Sequence, residues 1–427
     1  MKILWVKAGK LLPVDAGGKI RSYNILRWLR EHNEVTLLSY YHGPRDSAYE
    51  RALEEQFPGS IAINTGRAMR TNRLAVGVNY LRQLASPAPY AVTKFTSRAV
   101  QSQVNELLSG GAFDVAVCDF LAATLNFPTD LKTPTVLFQH NVESALWQRQ
   151  AQYEPNWINR MVFKIEAAKM LRYERETVRR FQHVIAVSDN DRELMSAMTN
   201  RSEITVVPTG VDLKRYRVAK ESSNGSADRQ ALIVFVGSMD WEANIDGVEY
   251  FCSEIWPSIK QRVPQARFRI VGRDPHPRVR KLASDSIEVT GTVASVIEHY
   301  NQAMVNIVPL RIGGGTRLKI YEAMAMGRAT VSTKIGAEGL DVNDGSDILI
   351  ADTADKFADW VVEVMEQESL RQRLEEGAAD KAAKYDWSVI AERFNGVLEK
   401  VRSSRFRCPS SGFRVLNSGF QVSGSEF

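Results

Sequence analysis

The sequence predicts an α/β protein made of two Rossmann-like domains facing one another across a cleft. Short apolar runs rich in Val and Ile alternate with amphipathic helical stretches, twice over, as in parallel sheets covered on both faces. A segment bearing Pro, Gly and Ser, VVPTGVDLKRYRV followed by KESSNGSADRQ, separates the two series. A chain of 427 residues is long enough for two or three self-sufficient cores. Each sheet of this kind binds its ligand at the carboxyl ends of its strands.

In the first half the strand candidates are Lys2–Ala8, Glu34–Tyr40, Asp114–Asp119, Thr135–Gln139 and His183–Ser188. The pattern Gly18–Arg30 reads as an amphipathic helix with Ile20, Ile25, Leu26 and Leu29 on one stripe. In the second half the candidates are Leu232–Gly237, Arg267–Gly272, Glu288–Thr290, Val305–Pro309, Ala329–Ser332 and Ile348–Ala351. The divisions expected are a first domain over 1–205, a second over 206–385, a helix over 386–402 returning to the first domain, and a tail over 403–427. The tail is Ser- and Gly-rich with no period, so no order is expected of it.

Hydrophobic content of 44% and charged content of 25% are those of a soluble globular chain. The net charge is +5, but residues 400 to 427 carry five cations against Glu426, which leaves only +1 on the rest. A nearly neutral body argues against a nucleic-acid partner. The first apolar run is short and broken by Lys7 and Lys10, unlike a leader peptide. Cys118, Cys252 and Cys408 are few and scattered, which suggests a reducing cytoplasm.

The most informative stretch is RIGGGTRLKIYEAMAMG, residues 311–327. A strand at Val305–Pro309 and a helix at Thr316–Met326 place three glycines in a strand-to-helix turn. A helix N-terminus offers unpaired N–H groups and the positive end of a dipole, and glycines let a ligand come close to them. That combination suits phosphate, with Arg317 and Lys319 adding charge. Glu322 lies too far along to cap the helix and suits a vicinal diol such as that of a ribose. Neither the P-loop nor the dinucleotide fingerprint fits this spacing.

PLRIGGGTRLKIYEAMAMGRATVSTKIGAEGL resembles the nucleotide-sugar site of the retaining family-4 glycosyltransferases, which have the GT-B fold. FVGSMDWEANIDGVEYF, FRIVGRDP and VTGTV follow the same family in order and spacing, and PVDAGGKIRSYNILRWL, FQHNVES and VSDNDREL more loosely. The likeness covers roughly residues 1 to 400. It implies sugar transfer from a nucleotide diphosphate sugar to a hydroxyl, with the donor on the second domain and the acceptor on the first. By motif, Glu322 holds the ribose, and Gly313, Gly314, Gly315, Thr316, Arg317, Leu318 and Lys319 face the diphosphate or sugar. Gly291, Thr292 and Val293 face the base near Arg273, and Gly17 and Gly18 approach from across the cleft. Ser238 and Asn244 lie on the donor side, and His140 matches the active-site histidine. Asp15, Arg21, Asn141 and Glu143 are expected on the acceptor side.

Two departures stand out. Many members carry a second glutamate eight residues before Glu322, where this chain has Gly314. The loop Ser238–Asn244 lacks the usual Arg and Lys, so Arg317 and Lys319 are expected to take over their charge. Leaving-group charge spread over phosphates suits N–H groups and cations. No Asp-x-Asp and no histidine cluster at ligand spacing are read as a metal site, so no metal or other cofactor is expected. A glycosidase pair from Asp119 and Glu143 is disfavoured, because hydrolysis needs no phosphate loop. The other classes to separate are a nucleotide-sugar epimerase and a non-catalytic nucleotide-sugar-binding partner. Basic residues in Ala145–Phe181, with Trp147, Trp157, Met161 and Phe163, and a second set at Arg67, Arg70, Arg73 and Arg82, predict contact with an anionic membrane. The alternative is a solvated helical face, since Glu154, Glu166, Glu174 and Glu176 offset much of the first set's charge. The expected location is cytoplasmic, at the inner face of a membrane.

Overall fold

The computed structural model describes residues 1–66, 86–130, 132–154, 156–216, 231–312 and 317–404. The loop Gly313–Thr316, the basic set at Arg67, Arg70, Arg73 and Arg82, and the tail from residue 405 lie outside the described residues.

The first sheet is built from β1 (Lys2–Ala8), β2 (Glu34–Tyr41), β3 (Ile61–Asn64), β4 (Val115–Asp119), β5 (Thr135–Phe138), β6 (His183–Ala186) and β7 (Ile204–Val206). Its order is β3-β2-β1-β4-β5-β6-β7, all parallel. The second holds β8 (Leu232–Val236), β9 (Arg267–Val271), β10 (Ile287–Gly291), β11 (Val305–Val308), β12 (Thr330–Ser332) and β13 (Leu349–Ile350). Its order is β10-β9-β8-β11-β12-β13, again all parallel. Central strands such as β4 and β8 are buried throughout, which is why they read as unbroken apolar runs. β3 and β7 escaped the sequence reading because they are short edge strands, one half-buried and the other three residues long.

Two helices lead into the cleft. Helix α1 (Gly17–His32) buries Ile25, Leu26 and Leu29, whereas Ile20 turns the other way, into a cavity wall. Helix α2 (Leu318–Ala325) follows the glycine loop and begins two residues later than expected, with Arg317 at its N-cap.

The chain crosses between the sheets twice, and the crossings bond to each other. Val211 N donates to Tyr385 O at 2.8 Å, and Trp387 N to Val211 O at 3.2 Å. Gly210 lies so close to Trp387 that a Cβ there would meet the indole at 2.7 Å. The last helix, α3 (Trp387–Ser404), then packs on the first sheet: Phe394 lies 5.5 Å from Trp5 and 5.0 Å from Phe138, ring to ring.

The basic segment differs from expectation. It forms two helices, Glu143–Tyr153 and Trp157–Arg180. Trp147 and Phe163 pack against each other at 5.8 Å between these helices. Glu166 and Glu174 are buried, so they do not offset the exposed cations. Glu174 instead caps the first helix, accepting from Glu143 N, Ser144 N and Ser144 Oγ at 2.9, 3.0 and 2.6 Å. Burial pushes Glu174 up to about 7 against those donors.

Candidate functional site

The carboxyl ends of β1, β4, β5 and β8 converge with the starts of α1 and α2 on a cavity of about 680 Å³ between the two sheets. Its walls carry six cations, Lys7, Lys10, Lys19, Arg21, Arg317 and Lys319, against one carboxylate, Asp119. A cleft lined by one sign of charge concentrates anions. The two helix starts nearly touch across it: a Cβ on Gly17 would lie 3.8 Å from Leu318.

On the first-domain side, β1, β4 and β5 bring together three residues far apart in sequence. Asp119 accepts from Trp5 Nε1 at 3.0 Å, Lys7 Nζ at 2.9 Å and His140 Nε2 at 2.7 Å. Burial works to raise the Asp119 pKa, but Lys7 and His140 outweigh it and hold the carboxyl well below its usual range. Burial pushes His140 down to about 4 against the pull of Asp119, so the ring is neutral at neutral pH. Ionised Asp119 can only accept, which fixes the proton on Nε2 and leaves Nδ1 as an acceptor. Arg21 Nη1 lies 3.1 Å from that Nδ1.

Both ring nitrogens of His140 are therefore engaged by protein groups. The residue matched to the active-site histidine lines the cavity, but as a fixed wall rather than a free base. Gly18 abuts it, since a Cβ there would sit 3.3 Å from Nδ1. Phe120, the next residue after Asp119, adopts φ 76°, a strained value for a bulky side chain in the cavity wall.

Arg21 was expected to face an acceptor. It is only 4% exposed and its Nε donates to Thr209 Oγ1 at 2.8 Å, in the crossover segment. Burial lowers its pKa to about 10, which leaves it charged at neutral pH. It thus ties His140 to the crossover at the cavity wall. Asp15 pairs with Lys19 at 2.9 Å, and that hydrogen bond depresses its pKa. Asn141 lines the cavity and donates to Glu143 at 2.9 Å. With Asp119 enclosed by three donors and Glu143 held by Asn141, these two carboxylates do not form an open acid–base pair.

On the other side, Lys319 and Arg317 lie against the loop that lacks its own cations. Lys319 Nζ donates to Asn244 Oδ1 at 2.9 Å and sits 4.1 Å from the Phe235 ring centroid. Gly237 leaves the space it needs, because a Cβ would come within 2.7 Å of Nζ. Burial first, then Arg317, pushes Lys319 down to about 7, with Glu322 pulling the other way. Arg317 lies 5.2 Å from the Trp241 ring, and burial lowers it to about 10. Asn244 Nδ2 donates to Ser238 O at 2.8 Å and Arg273 Nε to Ser238 Oγ at 3.1 Å, so these three expected residues cluster.

Gly291, at φ 73°, ends the edge strand β10, and Thr292 and Val293 follow it. They line neither this cavity nor its neighbour. That neighbour, about 760 Å³, shares Lys10 and Leu318 and contains Glu322, Tyr23, Tyr216 and Trp387. Glu322 thus faces the adjoining space, where it accepts from Tyr216 OH at 2.9 Å. Burial raises its pKa despite that bond.

Sequence reasoning missed Lys7, Tyr216 and Trp241 as site residues. Charge inside the buried run Lys2–Ala8 was the available signal for Lys7. It also passed over the single Asp-x-Asp of the chain, Asp189–Asn190–Asp191, which opens a helix. Its carboxylates do not converge: Asp189 pairs with Arg192 at 3.0 Å, and Asp191 accepts from Ser188 Oγ at 2.6 Å.

Two family models match the chain in succession, Glycosyltransferase Family 4 over residues 17–215 and Glycosyl transferases group 1 over residues 230–367. Among curated relatives, the phosphatidyl-myo-inositol mannosyltransferase of Mycolicibacterium smegmatis is 27% identical over 224 residues, covering 51% of this chain and 57% of the relative. A Campylobacter jejuni N,N'-diacetylbacillosaminyl-diphospho-undecaprenol alpha-1,3-N-acetylgalactosaminyltransferase is 23% identical, covering 52% of this chain and 61% of the relative. The matched regions thus span less than two thirds of these relatives' length. Among solved structures, Anabaena HepE in complex with UDP and glucose superposes with a TM-score of 0.63 at 14% identity, covering 94% of this chain and all of that one. Sucrose-phosphate synthase from Thermosynechococcus elongatus gives 0.65 at 14% identity, covering 94% and 99%. The chain belongs to the group 1, family 4 glycosyltransferases and has their GT-B fold.

Proposed function

We propose that this protein moves a sugar from a nucleotide diphosphate sugar to a hydroxyl acceptor, with retention at the anomeric carbon and without a metal. The carrying observation is the interdomain cavity, whose six cations surround one carboxylate that is already neutralised. Arg317, Lys319 and the first N–H groups of α2 would receive the diphosphate, replacing a metal with fixed donors and charge. Glu322 would take the ribose diol on the oxygen not used by Tyr216, since a carboxylate accepts at several lone pairs. Donor binding then belongs to the second domain and acceptor binding to the first, near Asn141 and Glu143.

The bond from the anomeric carbon to the phosphate oxygen breaks, and the bond to the acceptor oxygen forms on the same face. The acceptor proton passes to the departing phosphate. No side-chain base is needed, which agrees with a His140 whose two nitrogens are occupied. His140 instead shapes the wall beside the reacting sugar. The proposed donor is UDP- or GDP-linked, and the acceptor a growing glycan, a lipid-borne glycan or a small glycoside, met on the cytoplasmic side.

Incubation with UDP-, GDP-, ADP- and dTDP-sugars in the presence of a chelator tests this. Nucleotide release that requires an acceptor, with the anomeric configuration kept in the product, is the expected result. Isomerisation of a donor without acceptor, or tight nucleotide binding with no turnover on any acceptor, would overturn it.

A further inference from the structure

The helix Trp157–Arg180 carries, on one stripe, the three most exposed large apolar side chains of the described residues, and Ile165 follows them along the helix. Trp157, Ile158 and Met161 are 71%, 54% and 50% exposed, and Ile165 is 39% exposed. At the helical rise these four span about 12 Å. The opposite face buries Ala167, Met170, Glu174 and Val178 against the first domain, so the helix cannot turn its apolar stripe inward.

Charge distinguishes this surface from an ordinary solvated face. Among the outward side chains of the helix, Arg160, Lys164, Arg172, Arg175 and Arg179 are basic, and Glu176 is the one acid. Glu176 is itself paired with Arg172 at 3.2 Å. The acids that seem to balance this segment in the sequence, Glu166 and Glu174, are turned into the core. Apolar side chains at one end of a helix, flanked and followed by cations, match an anionic lipid surface: the apolar part enters the headgroup boundary and the cations meet lipid phosphates.

We propose that the exposed stripe headed by Trp157, Ile158, Met161 and Ile165 docks this protein on an anionic bilayer, with Lys164 and Arg175 among its electrostatic contacts. The helix before it starts at Glu143, beside the cleft residue Asn141, so docking would hold the cleft close to the bilayer. The inference does not depend on the transfer chemistry, and its failure would leave that reading intact.

The test is co-sedimentation of the full chain with vesicles of phosphatidylcholine alone or mixed with phosphatidylglycerol. Binding is expected only to the anionic vesicles and is expected to weaken with salt. The double variant Trp157→Ser, Ile158→Ser should lower the vesicle affinity at least about tenfold. Lys164→Gln and Arg175→Gln should each lower it about fivefold. Nucleotide affinity and circular dichroism, unchanged in all variants, would show that the fold is kept. Equal binding to both vesicle types, no binding by the native chain, or native-like binding by the serine variant would overturn the proposal. So would sedimentation velocity showing a native dimer that the serine variant abolishes while vesicles bind neither form.

Discussion

Lys319 is the residue whose chemistry depends most on what occupies the cleft. Burial and Arg317 push it down to about 7, so its ammonium form is far less favoured than in water. A bound diphosphate favours the ammonium form, and binding must then draw in a proton. Affinity for a nucleoside diphosphate should therefore be full below pH 7 and fall as pH rises through it. Calorimetry in buffers of different ionisation enthalpy should report proton uptake near pH 7, and Lys319→Arg, which keeps its charge, should flatten the profile. Glu322→Gln should weaken nucleotide binding about ten- to a hundredfold by removing a charged acceptor. Gly18→Ala, with its Cβ 3.3 Å from His140 Nδ1, should lower kcat by up to about a hundredfold while nucleotide affinity stays near native. Glu322 and Lys319 were legible in the sequence because the motif around them is local. The Lys7–Asp119–His140 cluster was not, because three strands bring it together and no spacing encodes it.

Among the elements, runs buried on both faces were readable, and β1 agrees with its expected range of Lys2–Ala8 residue for residue. β3 and β7 were not, since short edge strands carry too few apolar residues to stand out from a loop. The burial of Glu166 and Glu174 was equally hidden: on a 24-residue helix, acids on the inner and outer faces look alike until the face is known. The crossover is the element most sensitive to size. Gly210→Ala would drive a methyl group to 2.7 Å from the Trp387 ring and 3.0 Å from Tyr385 O. It should destabilise the protein by about 1–3 kcal/mol, read as a lowered denaturation midpoint with an unchanged slope.

At the scale of the whole molecule, the described residues of the two domains also meet away from the crossover. Gly17 approaches Leu318, and Arg149 binds Glu338 in a bidentate pair at 2.8 and 2.5 Å. Both contacts need the cleft closed, so Arg149→Ala should enlarge the radius of gyration of the free protein in small-angle scattering, and saturating nucleotide should restore it. The two-domain plan was legible from the repeated alternation of strands and helices. The division of the cleft into two cavities by Leu318 was not, because it depends on how the domains face each other. The central claim is that a nucleotide diphosphate lies in that cleft, and a crystal structure of its complex with a nucleoside diphosphate tests it most directly. The phosphates should contact Lys319 Nζ and the Arg317 guanidinium, with the ribose hydroxyls on Glu322. A nucleotide seated elsewhere, with Lys319 still bound to Asn244 alone and Glu322 to Tyr216 alone, would contradict it.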